Sequence, residues 1–254
     1  MTSKLAGKHA LVTGASKGVG KGIALELAKA GAEHLYINYN SDQAGAEQTK
    51  TEIEALGSQA TILQANVGNS QDVDRMFAAV PRIDILVNNA GVQTWKPLLD
   101  LTEAEWDRVI DTNLKGAFLC TQRAARKMKD AATGGRIINI GSGCNKVAFP
   151  SLVDYTASKG GIEMFTKVSA CELGKYRIAV NCVAPGAIEI ERTKHEAGDY
   201  AGTWSKVAPL GRVGTPEDIG KAVVFFAGSD SDFVTGQTLW VDGGVFSKPY
   251  WPYE

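Results

Sequence analysis

The chain has 254 residues, of which 44% are hydrophobic and 22% are charged, and its formal net charge is -1. This balance is ordinary for a globular protein, and it excludes a global positive field that would attract nucleic acid or acidic lipid. Because no apolar run approaches the length of a membrane span, we expect a single α/β domain without nucleic-acid or membrane partners.

The cysteines and histidines form no metal-binding pattern. The four cysteines stand far apart, only three histidines are present, and no C-x-x-C spacing occurs. The first nine residues lack the apolar core of a signal peptide. These features favour reduced thiols in a cytoplasmic protein, with neither a disulfide framework nor a metal site.

A glycine-rich turn follows the first apolar run of the chain. The run is Ala10–Thr13, and after the turn Val19, Ile23 and Leu27 recur at helical spacing. A strand that enters a helix through glycines lets the backbone approach a ligand, and the helix start offers free N–H groups to a phosphate. We therefore expect a nucleotide phosphate at Gly14–Gly20.

Further strands and helices alternate along the chain. Strands are predicted at 34–39, 60–65, 83–87, 136–140, 178–183 and 238–241, and helices at about 42–56, 71–80, 102–129, 155–173 and after Thr215. Capping signals begin the helices at Thr102 and Thr215, and Gly57 ends another helix. The alternation predicts a doubly wound parallel sheet of about seven strands with helices on both faces.

One helical segment carries a pair with acid–base chemistry. Tyr155 and Lys159 are four residues apart, so they share one helix face. An ammonium ~4 Å from a phenol, at an effective dielectric of ~20, favours the phenolate by roughly 4 kcal/mol before desolvation. This free energy corresponds to lowering the tyrosine pKa by about 3. Taken alone, the motif also fits a surface pair.

Together these motifs resemble the short-chain dehydrogenase/reductase family over essentially the whole chain. The resemblance implies a Rossmann-type domain and an NAD(P)-dependent oxidoreductase that interconverts a carbonyl and an alcohol by hydride transfer. It also implies a homotetramer built on the helix from Thr102 and the helix around Gly160-Gly161. The matching segments are Thr13–Gly20, Asn88–Gly91, Asn113, Ser142, Tyr155 with Lys159, and Pro185-Gly186.

The resemblance assigns four catalytic residues. Tyr155 would exchange a proton with the substrate oxygen, and Lys159 would lower the Tyr155 pKa and hold the ribose hydroxyls. Ser142 would donate a hydrogen bond to the substrate oxygen, and Asn113 would hold a water that links Lys159 to solvent. From the residues alone, Ser142 is also explained as a turn residue and Asn113 as a polar residue within a helix.

The end of the second strand bears on the choice of cofactor. A carboxylate about 20 residues past the glycine turn would bind a ribose 2′-hydroxyl, but Tyr39 is followed by Asn40 and Ser41, and Asp42 is expected to begin a helix. Lys17 resembles the basic residue of NADP-preferring relatives, although a solvated loop lysine is the alternative. We expect NADP(H), with NAD(H) as the second option.

The predicted cofactor-binding residues lie in the turns that follow the strands. Asn89 has an alternative role as a brace of the central strands, and Ile190 stands where many relatives place Thr, with Thr193 as a substitute. The full set is Gly14, Ser16, Lys17, Gly18, Val19, Gly20, Tyr39, Asn40, Ser41, Asn66, Val67, Asn89, Ala90, Gly91, Tyr155, Lys159, Pro185, Gly186 and Ile188.

Aromatic and polar residues after the same turns suggest a substrate pocket. Such a mixture suits a small cyclic or polyhydroxylated molecule, although each Trp is also explained by core packing. Residues 187–210 are a candidate lid. The aromatic tail 245–254 is expected to pack on a neighbouring subunit or cover a pocket, unless it caps its own chain. The candidates are Gln93, Trp95, Cys144, Asn145, Tyr200 and Trp204.

Three functions remain open at this point. The first is an NADP(H)-dependent oxidoreductase for a sugar, polyol or cyclic ketone. The second is a 3-oxoacyl-[acyl carrier protein] reductase, which needs a basic patch for its acidic carrier. The third is a non-catalytic NADP-binding regulatory protein, against which the intact catalytic set argues. An epimerase of the extended family is disfavoured because 254 residues leave little room for an additional substrate domain.

Overall fold

The computed structural model describes residues 3–191, 193 and 198–247. Within them, seven parallel strands form one sheet in the order β3-β2-β1-β4-β5-β6-β7. Both β2 and β4 pair with β1, so the strand order reverses there, which is where ligands bind in open α/β sheets. The strands are β1 His9–Val12, β2 His34–Tyr39, β3 Gln59–Gln64, β4 Ile85–Asn88, β5 Gly135–Ile140, β6 Ile178–Pro185 and β7 Thr238–Val241.

Helices cover both faces of this sheet, so the predicted doubly wound architecture is confirmed. Successive residues of β1 show the arrangement, because Val12 packs into the core with α1, α2 and α8 while Leu11 packs into the opposite core with α3, α5 and α6. The helices are α1 Gly18–Lys29, α2 Gln43–Ala55, α3 Ser70–Ala78, α4 Glu103–Ile110, α5 Gly116–Asp130, α6 Val153–Leu173, α7 Tyr200–Ser205 and α8 Pro216–Ala227.

The predicted helix starts are confirmed by their caps. Thr102 and Thr215 each make a reciprocal capping box, with Glu105 and Asp218 as the respective partners. Asp42 caps α2 by accepting a hydrogen bond of 3.1 Å from the N–H of Gly45.

The predicted long helix from Thr102 toward Lys129 is present as an unbroken helical run, but it contains a π-helical turn that the sequence did not indicate. A π-helical turn, Asp111–Lys115, separates α4 from α5. Asn113 lies in this turn and bonds both backbone groups of Val92, at 2.8 Å from the Val92 N–H and 2.9 Å to its carbonyl. Such turns accommodate one additional residue and are frequent at functional sites.

A chain of polar side chains crosses the buried centre of the sheet. Asn88 donates to Thr121 and to Asn139, at 2.9 and 2.8 Å, and Asn139 donates to Thr166 at 2.9 Å. These bonds join β4 and β5 to α5 and α6, and α6 bears the candidate catalytic residues Tyr155 and Lys159. In the described part of the chain, no helix is both long and apolar enough to cross a membrane.

Candidate active site

The glycine turn between β1 and α1 is shaped for close approach of a ligand. Gly14 and Gly18 have φ angles of 63° and 57°, which favour glycine. A Cβ on Gly20 would lie 2.3 Å from the Gly14 carbonyl oxygen. Lys17 stands at the N-cap of α1, where no side chain of the described residues caps the helix. The first N–H groups of α1 therefore suit a phosphate, as predicted.

Three polar side chains brace this turn from behind. Asn89 donates to the carbonyls of Thr13 and Gly14, at 2.8 and 3.1 Å. The Thr13 hydroxyl accepts from the N–H groups of Asn89 and Ala90, at 2.9 and 3.0 Å. Asn38 accepts from the Gly14 N–H at 3.2 Å. The Asn89 amide thus acts as a brace, the alternative foreseen for it, and Asn38 and Thr13 are supporting residues that the sequence analysis missed.

The end of β2 lies beside the glycine turn. Asn40 and Ser41 are exposed there, whereas Tyr39 is buried. Lys17 Nζ lies 3.4 Å from a carboxylate oxygen of Asp42. The Gly45 N–H, ahead of the neighbouring Lys17, holds the pKa of Asp42 below its ordinary value. Lys17 and Asp42 therefore form an ion pair near the end of β2. Asn40 and Ser41 offer an amide and a hydroxyl there, but no carboxylate.

The remaining predicted cofactor residues differ in what their side chains do. Asn66 is exposed and accepts from the Gly68 N–H at 3.0 Å. Val67 is buried, and its side chain packs into the core near Gly116. Gly186 packs so closely on Asp242 that a Cβ would lie 2.6 Å from its Cα. The others line the strand ends as half-buried or buried residues, namely Ser16, Val19, Ala90, Pro185 and Ile188, and Gly91 is exposed.

Lys159 and Tyr155 meet on one face of α6. Lys159 is only 4% exposed, and its Nζ lies 5.5 Å from the centroid of the Tyr155 ring. The Nζ donates a hydrogen bond of 2.7 Å to the Ile140 carbonyl at the end of β5. Burial lowers the pKa of Lys159 to about 8, while the nearby Cys182 and Cys144 thiols oppose this. The ammonium is therefore largely charged at neutral pH.

Ser142 lies two residues beyond Ile140, on the turn that follows β5. It is the N-cap of a short 3₁₀ turn, Gly143–Asn145, and its Oγ accepts from the Cys144 N–H at 3.2 Å. Its own N–H donates to Oδ1 of Asn145 at 3.0 Å. Both contacts fix the orientation of Ser142 and leave its hydroxyl hydrogen to donate to a substrate oxygen.

Asn113 is buried, and its amide is occupied by protein groups. In addition to the two bonds with Val92, its Nδ2 donates to Ser158 Oγ at 3.0 Å. Ser158 precedes Lys159 on α6 and in turn donates to the Tyr155 carbonyl at 2.7 Å. The side chain of Asn113 thus fixes the start of α6 through Ser158. Its predicted role of holding a water remains a prediction.

The predicted substrate residues fall into two groups. Asn145 and Cys144 belong to the Ser142 turn: the Asn145 side chain closes that turn, and Cys144 is buried. The other candidates are more open to solvent. Trp95 is 60% exposed, and Tyr200 and Trp204 on α7 lie 6.3 Å apart between ring centroids. Gln93 is half-buried, and its carbonyl accepts from Arg108 at 3.3 Å.

The segment after β6 contacts the glycine turn. A Cβ built on Gly18 would lie 3.6 Å from Cδ1 of Ile190, so this side chain closes over the turn. The Thr193 hydroxyl accepts from the Ile190 N–H at 2.9 Å and donates to the Ile190 carbonyl at 2.8 Å, so local contacts occupy it. Of the predicted loop 187–210, residues 192 and 194–197 lie outside the described residues, as do 248–254 of the predicted tail.

Known proteins are similar to this chain over most of its length. The family model described as Enoyl-(Acyl carrier protein) reductase matches residues 14–246. The 3-oxoacyl-[acyl-carrier-protein] reductase FabG of Staphylococcus aureus (strain N315) is 40% identical over 243 residues, covering 94% of this chain and 98% of the relative. The hydroxynaphthalene reductase-like protein Arp2 of Metarhizium brunneum (strain ARSEF 3297) is 38% identical over 258 residues, covering 94% and 95% of the two chains.

Solved structures match over almost the full length. A gluconate 5-dehydrogenase from Burkholderia cenocepacia J2315, in complex with NADP and tartrate, superposes with a TM-score of 0.90 at 34% identity and covers 97% of this chain and 98% of its own. An acetoin dehydrogenase from Enterobacter cloacae gives a TM-score of 0.87 at 36% identity, with the same coverage of 97% and 98%. The chain therefore belongs to the short-chain dehydrogenase/reductase family of NAD(P)-dependent oxidoreductases acting on CH–OH and C=O groups.

Proposed function

We propose that this protein is an NADP(H)-dependent oxidoreductase that interconverts a small carbonyl compound and its alcohol, with Tyr155 as the general acid and base. The observation that carries the proposal is the buried Lys159 ammonium, 5.5 Å from the Tyr155 ring centroid. This pair stands on α6, and Lys159 is tied to the end of β5, where ligands bind in parallel α/β sheets.

Each catalytic residue has a defined task in this proposal. The bound nicotinamide supplies or accepts the hydride. Ser142 donates a hydrogen bond to the substrate oxygen, whose negative charge grows as the carbonyl is reduced. Tyr155 gives its phenolic proton to that oxygen, and in the reverse direction it removes the proton from the alcohol. The Lys159 ammonium favours the phenolate that remains.

The preference for NADP(H) rests on charge at the end of β2. A carboxylate at Asn40 or Ser41 would repel a ribose 2′-phosphate, and neither residue carries one. Both are exposed beside Lys17, whose ammonium can pair with a phosphate. Asp42 opposes this preference, because its carboxylate lies 3.4 Å from the Lys17 Nζ and a 2′-phosphate would compete with it for Lys17. The gluconate 5-dehydrogenase relative was crystallised with NADP.

We infer a small polar carbonyl substrate from the residues predicted to surround it. Trp95, Tyr200 and Trp204 present half-buried or exposed aromatic surface, and Gln93 adds a polar group. Such surroundings suit a sugar acid, a polyol or a cyclic ketone. The gluconate 5-dehydrogenase and acetoin dehydrogenase relatives are named for small polar substrates.

A second candidate is a 3-oxoacyl-[acyl-carrier-protein] reductase. The 40% identity to the reductase from Staphylococcus aureus favours it. An acidic carrier would require unpaired basic residues near the pocket. Lys96 is paired with Glu105 at 2.6 Å, and Lys146 lies over the Trp240 ring. Arg108 is exposed beside Gln93, and it donates to the Gln93 carbonyl and the Thr94 hydroxyl rather than to a carboxylate of the described residues. The thioester in the substrate panel therefore decides between the two candidates.

We also propose that the chain assembles as a homotetramer through α5 and α6. Their outer faces carry exposed apolar side chains, with Phe118, Met164 and Val168 at 44%, 57% and 53% exposure. An apolar surface of this kind is typical of an interface. Sedimentation of the purified protein would test the assembly.

The test is the oxidation of NADPH and NADH by the purified protein against a panel of carbonyls. The panel contains 5-ketogluconate, diacetyl, a cyclic diketone and an acetoacetyl thioester. Turnover of a small carbonyl with NADPH, and tighter binding of NADPH than of NADH, would support the proposal. Turnover of the thioester alone would favour the second candidate. Cofactor binding without any turnover would favour the regulatory alternative.

A further inference from the structure

The chain forms a compact turn directly after β7, and one carboxylate organises it. Asp242 accepts hydrogen bonds from the N–H groups of Gly244 and Phe246, at 2.9 and 3.0 Å. The Val245 N–H donates to the Asp242 carbonyl at 3.2 Å. We call residues 242–247 the C-terminal turn. Because Asp242 directly follows a paired strand, this turn is fixed relative to the sheet.

The C-terminal turn contacts the ends of both neighbouring strands. Gly186, after β6, packs against the Cα of Asp242. Gly143, after β5, packs against the ring of Phe246, since a Cβ on Gly143 would lie 2.1 Å from Cζ and 2.2 Å from Cε2. The tip of the Phe246 ring therefore occupies the space where any larger residue at position 143 would place its side chain.

Other aromatic rings hold the Phe246 ring in place. Phe149 meets it edge to face, with centroids 6.0 Å apart, and Trp240 does the same from β7 at 6.4 Å. Lys146 lies over the Trp240 ring, 5.5 Å from its centroid. Phe149 and Trp240 thus restrict the orientation of the Phe246 ring, and this keeps the ring against Gly143.

This contact bears directly on Ser142. Gly143 is the first residue of the short turn that Ser142 caps, and the N–H groups of Lys146 and Val147 both donate to the Gly143 carbonyl at 3.0 Å. A shift of Gly143 would therefore rotate the backbone next to Ser142 and redirect its hydroxyl. Because glycine has no Cβ, the Phe246 ring can approach the backbone of this turn directly.

We propose that Phe246 is a positioning residue for Ser142, so that the C-terminal turn forms part of the active site. The ring presses on Gly143 and holds the Ser142 hydroxyl where it can donate to the substrate oxygen. This inference rests on the proposed function, in which Ser142 makes that hydrogen bond. A displacement of about 1 Å in such a donor is enough to lower turnover strongly.

A double-mutant cycle tests this coupling. Phe246→Ala should lower kcat about tenfold with little change in NADPH affinity, and Ser142→Ala should lower it about a hundredfold. If Phe246 acts through Ser142, then Phe246→Ala should have no further effect in the Ser142→Ala protein. An undiminished tenfold loss there would overturn the inference. Unchanged kcat for Ser142→Ala would instead contradict the proposed function.

A size exchange provides a second test, in which Gly143→Ala, Phe246→Tyr and Phe246→Met do not depend on the folding of Phe246→Ala. Gly143→Ala should collide with the ring and lower kcat, and Phe246→Tyr should do the same because its oxygen is added at Cζ. Phe246→Met retains apolar bulk and should retain most of kcat. Combining Gly143→Ala with Phe246→Ala should restore several-fold more activity than Gly143→Ala alone, and no recovery would contradict the contact. Phe233→Ala, at a fully exposed ring, is the matched control.

Discussion

The Lys159 ammonium and the Tyr155 ring stand one helical turn apart, 5.5 Å from nitrogen to ring centroid. Lys159 is also anchored to the Ile140 carbonyl, so the pair is held against the end of β5. A lysine in such a buried place pays a desolvation cost when it is charged, and this cost gives the protein a measurable pH dependence.

Stability of the cofactor-free protein should depend on pH through Lys159. Its pKa is about 8 in the folded protein and about 10.5 when unfolded, so between these values the unfolded chain binds more protons. The free energy of unfolding therefore rises with pH in this window. The contribution that Lys159 makes to it is lowest below pH 8. Relative to Lys159→Met, the wild type should gain roughly 2 kcal/mol between pH 8 and pH 10. Urea unfolding at each pH measures the difference; a constant difference would exclude a depressed pKa.

Asn113→Ala should both destabilise the protein and reduce turnover. The change leaves the N–H and carbonyl of Val92 without their partners and releases Ser158. We expect a loss of about 3 kcal/mol in the free energy of unfolding. Asn69→Ala is the control, because it removes only the cap of α3 and should cost about 1 kcal/mol without loss of activity. Equal effects of the two changes would exclude a special role for the π turn.

Gly20→Ala should weaken binding of the cofactor. The added methyl group would lie 2.3 Å from the Gly14 carbonyl and 2.4 Å from the Asn89 amide nitrogen, so the turn must move. We expect NADPH affinity to fall at least about tenfold, which corresponds to roughly 1.4 kcal/mol. Gly174→Ala, where the added methyl group meets no atom within 4 Å, is the control. Fluorescence titration of both variants with NADPH measures the two affinities. Equal affinities would show that the close packing at Gly20 is not needed for cofactor binding.

Asn40→Asp should reverse the cofactor preference. A carboxylate at the end of β2 would repel a 2′-phosphate and offer an acceptor to a 2′-hydroxyl. NADPH should bind at least about tenfold more weakly, while NADH affinity stays equal or improves. Calorimetric titration with the two cofactors gives the comparison within one protein. If both affinities fell together, the phosphate would have to be bound elsewhere.

Much of the fold follows from patterns that the sequence displays openly. Short β-branched runs such as Ile178–Val183 lie within a strand, and the capping boxes at Thr102 and Thr215 mark true helix starts. The π turn around Asn113 could not be read in the same way, because one inserted residue hardly disturbs a helical pattern. The partner of Asn113 in this turn is the backbone of Val92, which lies 21 residues away in sequence and becomes a neighbour only in the fold.

The supporting residues of the site leave little signal in the sequence. Asn38 lies within an ordinary strand pattern, and nothing local indicates that its amide would accept from Gly14. Asn145 is a substrate-binding candidate by its position in the sequence, but its side chain closes the Ser142 turn. The spacing Ser142-x-x-Asn145 resembles a capping box and was the available signal. The contact between Phe246 and Gly143 joins residues a hundred positions apart, which no local pattern predicts.

The most direct measurement is single-turnover oxidation of NADPH by the wild type and by Tyr155→Phe, with a carbonyl that the panel identifies. Removal of the phenolic proton should slow the reaction on the order of 10³-fold, while NADPH still binds. Tyr176→Phe, which changes a tyrosine beyond the end of α6, should keep the wild-type rate. A Tyr155→Phe protein that reduces the carbonyl as fast as the wild type would contradict the assignment of Tyr155 as proton donor.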